Sequence, residues 1–195
     1  MPFERLDTRL DGVQLIQAQT FGDERGFFAE TYRRSDFAAL GIVEDMVQDN
    51  HSRSRRGTVR GMHFQIGAGA SKLGRCGRGR IVDVVADLRR GSPTYAGWEA
   101  FELTEDNGRI LYVPIGFAHG FCVVSEIADV FYKQSNYYSG EVERGIRYDD
   151  PEVGIEWPLP AAELIVSDRD ATAPALADVA AELPFEYGAS RSGAV

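Results

Sequence analysis

Short runs of alternating hydrophobic and polar residues, separated by turns, dominate the chain. The clearest run is residues 80–90, RIVDVVADLRR, where the even-numbered positions from 82 to 88 are apolar and the odd-numbered positions include Asp83 and Asp87. Period-two alternation predicts a β-strand, here with one face that carries polar groups. The turn residues Gly91, Ser92 and Pro93 follow it, and we expect them to close the strand.

Further short elements repeat this pattern. Residues 109–113, 120–125 and 128–135 also read as strands between Pro, Gly or charged turns. Residues 36–41 predict one short helix that stops at a glycine, and residues 171–184 a second one.

The spacing of these elements predicts the fold class. Many short strands favour an all-β sandwich or barrel, and a jelly roll with a few short peripheral helices fits best. No repeat or change of composition divides the chain. We therefore expect one domain over residues 1–187 and a disordered C-terminal tail over residues 188–195.

Composition narrows the class of ligand. The 195 residues carry a net charge of −9, yet residues 53–90 contain ten Lys and Arg against two Asp. A globally acidic surface repels nucleic acid, which argues against general DNA or RNA binding. The compact basic segment suits a small phosphorylated ligand; a solvated basic face is the alternative.

Two cysteines and a charged N-terminus bear on location. Cys76 and Cys122 form no disulfide framework, so reduced thiols are expected. The first residues lack the apolar run of a secretory signal, and no stretch is apolar enough to span a bilayer. These features predict a soluble cytoplasmic protein without a membrane partner.

Two spaced motifs surround the histidines. Gly57 is followed after five residues by His63-Phe-Gln65 and later by Lys72; Gly108 is followed after five residues by PIGFAH, which ends at His119. This spacing resembles the two motifs of the cupin superfamily of small jelly-roll barrels. Only His63 and His119 match metal-ligand positions. Because two neutral imidazoles beside an ammonium group rarely hold a divalent cation, we predict no metal.

Histidine, lysine and arginine in a metal-free barrel suit proton transfer next to a carbonyl. A neutral histidine accepts a proton, and a cation stabilises the oxyanion that develops. Inversion of a carbon centre also needs an acid on the opposite face, a role that suits tyrosine. No redox step is involved, so no nicotinamide or other cofactor is expected, and no GxGxxG follows a strand.

Six stretches in series then point to one family. The chain resembles the dTDP-4-dehydrorhamnose 3,5-epimerase family through FGDERGFFAETY (21–32), QDNHSRSRRGTVRGMHFQ (48–65), RIVDVVADLRRGSPTYAGW (80–98), YVPIGFAHGF (112–121), FYKQSNYYSGEVERGIRYDDP (131–151) and VSDRDATAP (166–174). The resemblance implies inversion of carbons 3 and 5 of dTDP-4-dehydro-6-deoxy-D-glucose. The alternative is a single-site epimerase of antibiotic deoxysugar pathways.

The resemblance also implies roles for matching residues. His63 would be the base, oriented by Asp170; Tyr132 would be the acid, and Lys72 would stabilise the enolate oxygen at carbon 4. Substrate-binding residues would be Arg25, Glu30, Gln48, Asn50, Arg60, His119, Tyr138, Glu143 and Arg169. Tyr138 would stack on the thymine. The family implies a homodimer in which the strand with Arg25 and Glu30 reaches toward the partner's site.

Two departures from the family pattern are visible. Arg169 replaces the more usual lysine, which keeps the charge but changes the shape of a phosphate contact. The loop at residues 66–71 is glycine-rich and lacks a proline, so the reach of Lys72 is left open.

Each role has a structural alternative. His63 and Tyr132 would by default be core residues, and Tyr138 a surface aromatic. Asp170 would be a helix N-cap ahead of the next residue. His119 would be purely structural if it bonded Asp83 inside the barrel. Two other classes of function stay open at this point, a metal-dependent cupin oxygenase or isomerase and a non-catalytic sugar-binding cupin.

Overall fold

The computed structural model describes residues 2–188 and consists mainly of short strands. The strands over this range are β1 (Phe3–Leu6), β2 (Gln14–Ala18), β3 (Thr20–Asp23), β4 (Gly26–Ala29), β5 (Gln48–Arg55), β6 (Val59–Gln65), β7 (Lys72–Arg78), β8 (Arg80–Asp87), β9 (Trp98–Thr104), β10 (Arg109–Val113), β11 (Phe117–Val123), β12 (Ile127–Gln134) and β13 (Glu143–Gly145). The helices are α1 (Arg34–Ala39), α2 (Asp168–Ala171) and α3 (Leu176–Val179), with 3₁₀ turns at Ala161–Glu163 and Ala180–Glu182.

The strands form two main sheets that pack face to face. One sheet has the order β1-β2-β10-β7-β12-β5, and the other β13-β6-β11-β8-β9. Their strand pairs are antiparallel, and β3 and β4 form a separate hairpin. The predicted all-β, cupin-type jelly-roll sandwich with a few short helices is confirmed.

Strand β8 shows how the sequence pattern produces the layers. Ile81 and Val85 point between the two sheets, where they join an apolar cluster with side chains of both. Val84 and Ala86 point the other way, beneath the C-terminal segments that follow β13. Since side chains alternate along a strand, the face with Asp83 is the one that looks into the barrel.

Short helices cover the outside, as predicted. Helix α1 packs Phe37 onto the outer face of the six-stranded sheet, and Gly41 follows at φ +88°, a backbone conformation that glycine adopts at low cost. The second predicted helix region contains α3 and a 3₁₀ turn.

The predicted tail, residues 188–195, lies outside the described part of the chain except for Gly188. Within residues 2–188, none of the helices has the length and apolar character needed to cross a membrane.

Candidate active site

A cavity of about 330 Å³ opens between the two sheets, and side chains of both sheets line it. Its wall contains nine of the thirteen predicted site residues: Arg60, His63, Lys72, His119, Tyr132, Tyr138, Glu143, Arg169 and Asp170. Residues that are far apart in sequence therefore meet in one place.

His63 and Asp170 form a hydrogen-bonded pair. His63 Nε2 lies 2.7 Å from Asp170 Oδ1, and Asp170 is buried. Burial raises the pKa of Asp170, but the hydrogen bond from His63 and further donors outweigh it and leave the pKa below its usual range. Nδ1 is thus the nitrogen of His63 left to accept a proton.

A short helix holds Asp170 in this position. Ser167 caps α2, because its Oγ accepts a hydrogen bond from the Asp170 N–H at 3.2 Å. The alternative in which Asp170 is the N-cap is therefore wrong. Asp170 Oδ2 also accepts from the Gly61 N–H at 3.3 Å, which ties the helix to β6.

A close approach of β6 and β11 shapes the floor of the cavity. A Cβ atom on Gly61 would lie 2.5 Å from Gly120 Cα, and the φ of Gly61 is +138°. Only glycine fits at such a crossing. The pairing shifts register between His119 and Phe121, and it leaves His119 directly opposite His63.

His119 is paired with a second carboxylate. Its Nε2 lies 2.6 Å from Oδ1 of Asp83, which is 0% exposed. The bond that the sequence predicted as a structural alternative is present, and His119 lines the cavity as well.

Lys72 and Tyr132 face the histidines from the six-stranded sheet. No hydrogen bond or ion pair to Lys72 Nζ is formed by any residue between 2 and 188, and burial lowers the pKa of this lysine. Burial and then the nearby Glu143 raise the pKa of Tyr132. At neutral pH the phenol is therefore a proton donor. Lys72 points its amine into the cavity, where its protonated form would bind an anion.

Cationic and aromatic groups form the mouth of the cavity. Arg60 Nε donates to Ser54 Oγ at 3.0 Å, and Arg169 forms an ion pair with Glu143 at 2.7 Å. Tyr138 is 53% exposed, so its ring is accessible from solvent.

Gln48 and Asn50 flank this wall on β5 without lining the main cavity. Gln48 Oε1 accepts from the Tyr138 N–H at 2.8 Å, and Gln48 Nε2 donates to Asn50 Oδ1 at 2.9 Å. Asn50 Nδ2 is buried without a partner among residues 2–188.

Arg25 and Glu30 are not brought to this cavity within the protomer. Arg25 lies in the β3–β4 hairpin and pairs with Asp23, while Glu30 follows the hairpin and pairs with Arg33 at 2.6 Å. The hairpin also exposes three phenylalanines, Phe21, Phe27 and Phe28.

Ser52 and Ser167 line the cavity and were not predicted. The Ser52 Oγ is buried and lacks a hydrogen-bond partner within the described chain. The sequence could have indicated Ser52, because it shares one face of β5 with the predicted site residues Gln48 and Asn50.

A groove in a jelly-roll sandwich that sets a His–Asp pair against tyrosine and lysine defines a cupin-type enzyme equipped for proton transfer. Among residues 2–188, no cluster of three or more His, Cys, Asp or Glu side chains is placed to hold a metal ion.

Comparison with known proteins extends this assignment. The model of the family described as dTDP-4-dehydrorhamnose 3,5-epimerase matches residues 7–178. A relative of that name from Pseudomonas aeruginosa is 47% identical over 167 residues, which is 85% of this chain and 92% of the relative.

Solved structures agree. A dTDP-6-deoxy-D-glucose-3,5-epimerase from Legionella pneumophila, in complex with dTDP-4-keto-L-rhamnose, has a TM-score of 0.92 at 40% identity and covers 96% of this chain and 100% of that one. A 3'-monoepimerase from Streptomyces bikiniensis has a TM-score of 0.85 at 31% identity over 93% and 92% of the two chains. The chain belongs to the dTDP-4-dehydrorhamnose 3,5-epimerase family, and it is an isomerase of nucleotide sugars.

Proposed function

We propose that this chain inverts carbon 3 and carbon 5 of dTDP-4-dehydro-6-deoxy-D-glucose to give dTDP-4-dehydro-L-rhamnose. The observation that carries the proposal is the placement of His63 and Tyr132 on facing walls of one cavity. Inversion requires removal of a proton from one face of the sugar and its return to the other, which this arrangement suits.

The first step is the formation of an enolate. His63 Nδ1 takes the proton next to the carbon 4 ketone while Nε2–H stays bonded to Asp170. The electron pair of the broken C–H bond forms a double bond to carbon 4, the π pair of the carbonyl moves to its oxygen, and the Lys72 ammonium stabilises the negative charge there. An electrostatic contact of this kind in a water-poor cavity supplies about 3–4 kcal/mol of stabilisation.

The second step returns a proton from the other side. Tyr132 donates its phenolic proton to the enolate carbon. His63 then releases its proton to solvent and Tyr132 recovers one from solvent, which resets the pair. Because burial raises its pKa, Tyr132 is protonated at neutral pH when the enolate forms. The same pair serves both carbons once the ring has turned between steps.

The remaining residues hold the nucleotide. Arg60 and Arg169 suit the pyrophosphate, since guanidinium groups match phosphate geometry, and the exposed ring of Tyr138 suits stacking on thymine. The other proposed contacts of the protomer to the substrate are Gln48, Asn50, His119 and Glu143. Binding energy from these contacts orients the sugar between base and acid.

A homodimer forms part of this proposal. Arg25 and Glu30 lie away from their own cavity, on and next to a hairpin that exposes three phenylalanine side chains. An exposed apolar surface of this kind marks an interaction site. Placed against a second copy, the hairpin would bring Arg25 and Glu30 to the partner's substrate. We also propose a cytoplasmic location, in keeping with the free thiols of Cys76 and Cys122.

Deuterium exchange tests the reaction. In deuterated water the wild type should incorporate deuterium at both carbon 3 and carbon 5 of dTDP-4-keto-6-deoxyglucose, as read by NMR. Tyr132→Phe should still exchange through His63 but fail to invert carbon 5, whereas Tyr137→Phe, at an exposed position outside the cavity, should behave as wild type. Exchange at one carbon alone after long incubation would establish the single-site alternative instead.

A further inference from the structure

Asp83 is a buried carboxylate that no step above uses. It lies on the interior face of β8, is 0% exposed, and its Oδ1 accepts from His119 Nε2 at 2.6 Å. Its Oδ2 has no hydrogen-bond partner within residues 2–188. Gly74 on β7 lies beside this oxygen: a Cβ atom added to Gly74 would be 3.8 Å from Asp83 Oδ2.

A second aspartate on the same face of the same strand shows what a structural role looks like. Asp87 is also 0% exposed, but Arg89 binds both of its oxygens, and the hydroxyls of Ser92 and Thr94 donate to Oδ2. A buried carboxylate is costly unless it is paired and hydrogen-bonded in this way. Asp83 lacks such a full set of hydrogen-bond donors within residues 2–188.

The charge of Asp83 acts on the cavity instead. Burial lowers the pKa of Lys72, and two carboxylates, Glu143 and Asp83, oppose that change. Glu143 already has a cationic partner, since Arg169 lies 2.7 Å from it. Within residues 2–188, Asp83 forms no ion pair with Lys or Arg, and its one hydrogen-bond partner is the imidazole of His119.

We propose that Asp83 is a positioning residue for the epimerisation, one that fixes His119 with Nε2–H on the carboxylate and keeps the Lys72 ammonium charged. This inference rests on the proposed function. In this arrangement His119 Nδ1 is the ring nitrogen available to accept a hydrogen bond from a sugar hydroxyl. Lys72 keeps the proton that it needs to stabilise the enolate oxygen.

The other titratable groups near Lys72 and His119 come from four further elements. They are Arg60 and His63 on β6, Tyr132 on β12, Glu143 on β13, and Arg169 and Asp170 on α2, and Tyr138 lies in the loop before β13. All of them stay in place when Asp83 is replaced, so a change in the pH profile of that variant reports the loss of one charge.

Asp83→Asn, with Asp87→Asn as matched control, tests the proposal in the full chain. We expect kcat of Asp83→Asn to fall about 10- to 100-fold with KM nearly unchanged, in line with the loss of a hydrogen bond to a charged group. The alkaline limb of kcat should move to lower pH, because Lys72 loses its proton more easily. Asp87→Asn should lower the melting temperature yet leave that limb in place. If Asp83→Asn folds and its alkaline limb of kcat stays at the wild-type pH, the proposal is overturned. If Asp83→Asn does not fold, the same measurement is made on Asp83→Ser.

Two further measurements separate positioning from packing. If Asp83 acts in part through His119, the double variant with His119→Asn should lose clearly less than the product of the single losses, because coupled residues are not additive. Independently of turnover, ¹⁵N NMR should show the Nε2–H tautomer of His119 in the wild type and a changed population in Asp83→Asn. An unchanged tautomer would refute the positioning role. A wild type without epimerase activity would instead refute the proposed function, and the NMR result would still decide the placement of His119.

Discussion

His63 and His119 are direct partners across β6 and β11, and each imidazole is bound at Nε2 by its own carboxylate. Asp170 reaches His63 from α2 at 2.7 Å, and Asp83 reaches His119 from β8 at 2.6 Å. Directly opposite residues of antiparallel strands have side chains on the same face. Two oriented imidazoles therefore lie side by side on one wall, opposite Lys72 and Tyr132.

Replacement of the base should abolish turnover without unfolding the chain. In His63→Asn the amide nitrogen cannot accept a proton at neutral pH, so kcat should fall by at least about 100-fold, the lower range of general-base contributions. The matched control is His51→Asn on the outer face, where His51 stacks on Phe131 and bonds Asp129; it should keep most activity. Initial rates and circular dichroism check both. More than a few per cent of activity in His63→Asn would remove His63 from the role of base.

The pH profile should identify Lys72 through its altered pKa. Burial lowers the pKa of Lys72 from its ordinary 10.5 and raises that of Tyr132 from its ordinary 10.0. As pH rises, Lys72 is therefore expected to lose its proton first and to set the alkaline limb of kcat. Lys72→Arg keeps a permanent charge, so its residual activity should persist to higher pH than that of the wild type. A limb at the same pH in Lys72→Arg would assign it to another group.

Subunit complementation should reveal whether the hairpin completes the partner's site. Heterodimers that combine an Arg25→Ala protomer with a His63→Asn protomer contain one site with both an intact His63 and an intact partner Arg25. Purified through two different tags, they should regain about half of the wild-type activity, because one of two equivalent sites is restored. If Arg25 served its own cavity, both sites would carry a defect. The heterodimer would then be as impaired as its parents.

The glycine crossing should be intolerant of any side chain. In Gly61→Ala the new Cβ would lie 2.5 Å from Gly120 Cα in addition to the strain at φ +138°. Gly41→Ala is the control, since its φ is +88° but no atom lies within 4 Å of a Cβ there. We expect Gly61→Ala to lose at least about 2 kcal/mol more free energy of unfolding than Gly41→Ala, as for an overpacked core. Denaturant melts of both variants measure this difference, and equal losses would show that the strands can separate at the crossing.

Local pattern predicted much of the fold. The alternation in residues 80–90 specified both faces of β8, although the strand ends at Asp87, where its pairing with β11 ends. Strand β11 begins at Phe117, three residues before the predicted start at residue 120. The prediction started late because Pro114 and Gly116 indicate a turn. Gly116 does turn the chain, at φ +101°, but the strand starts directly after it.

Some residues of the cavity could likewise be predicted from the sequence and others could not. Motif spacing marked His63, Lys72 and His119, which strands carry to one place. Ser52 was missed although it shares a face of β5 with Gln48 and Asn50, because a serine hydroxyl alone does not indicate a role. That Arg25 lies away from its own cavity was implied by the family resemblance alone, because no local pattern tells whether a hairpin folds back on its own barrel.

The location of base and acid on different sheets gives the sandwich a selective role. Packed sheets keep a separation of about 10 Å between backbones, and the side chains of His63 and Tyr132 reduce that gap from either side. For the proposed substrate, this spacing would place one face of the sugar ring toward each group, and a thicker ring would meet one of the two side chains. Selection by ring thickness would then follow from the same packing that stabilises the barrel, and substitutions that move the sheets apart would relax it without touching the catalytic side chains.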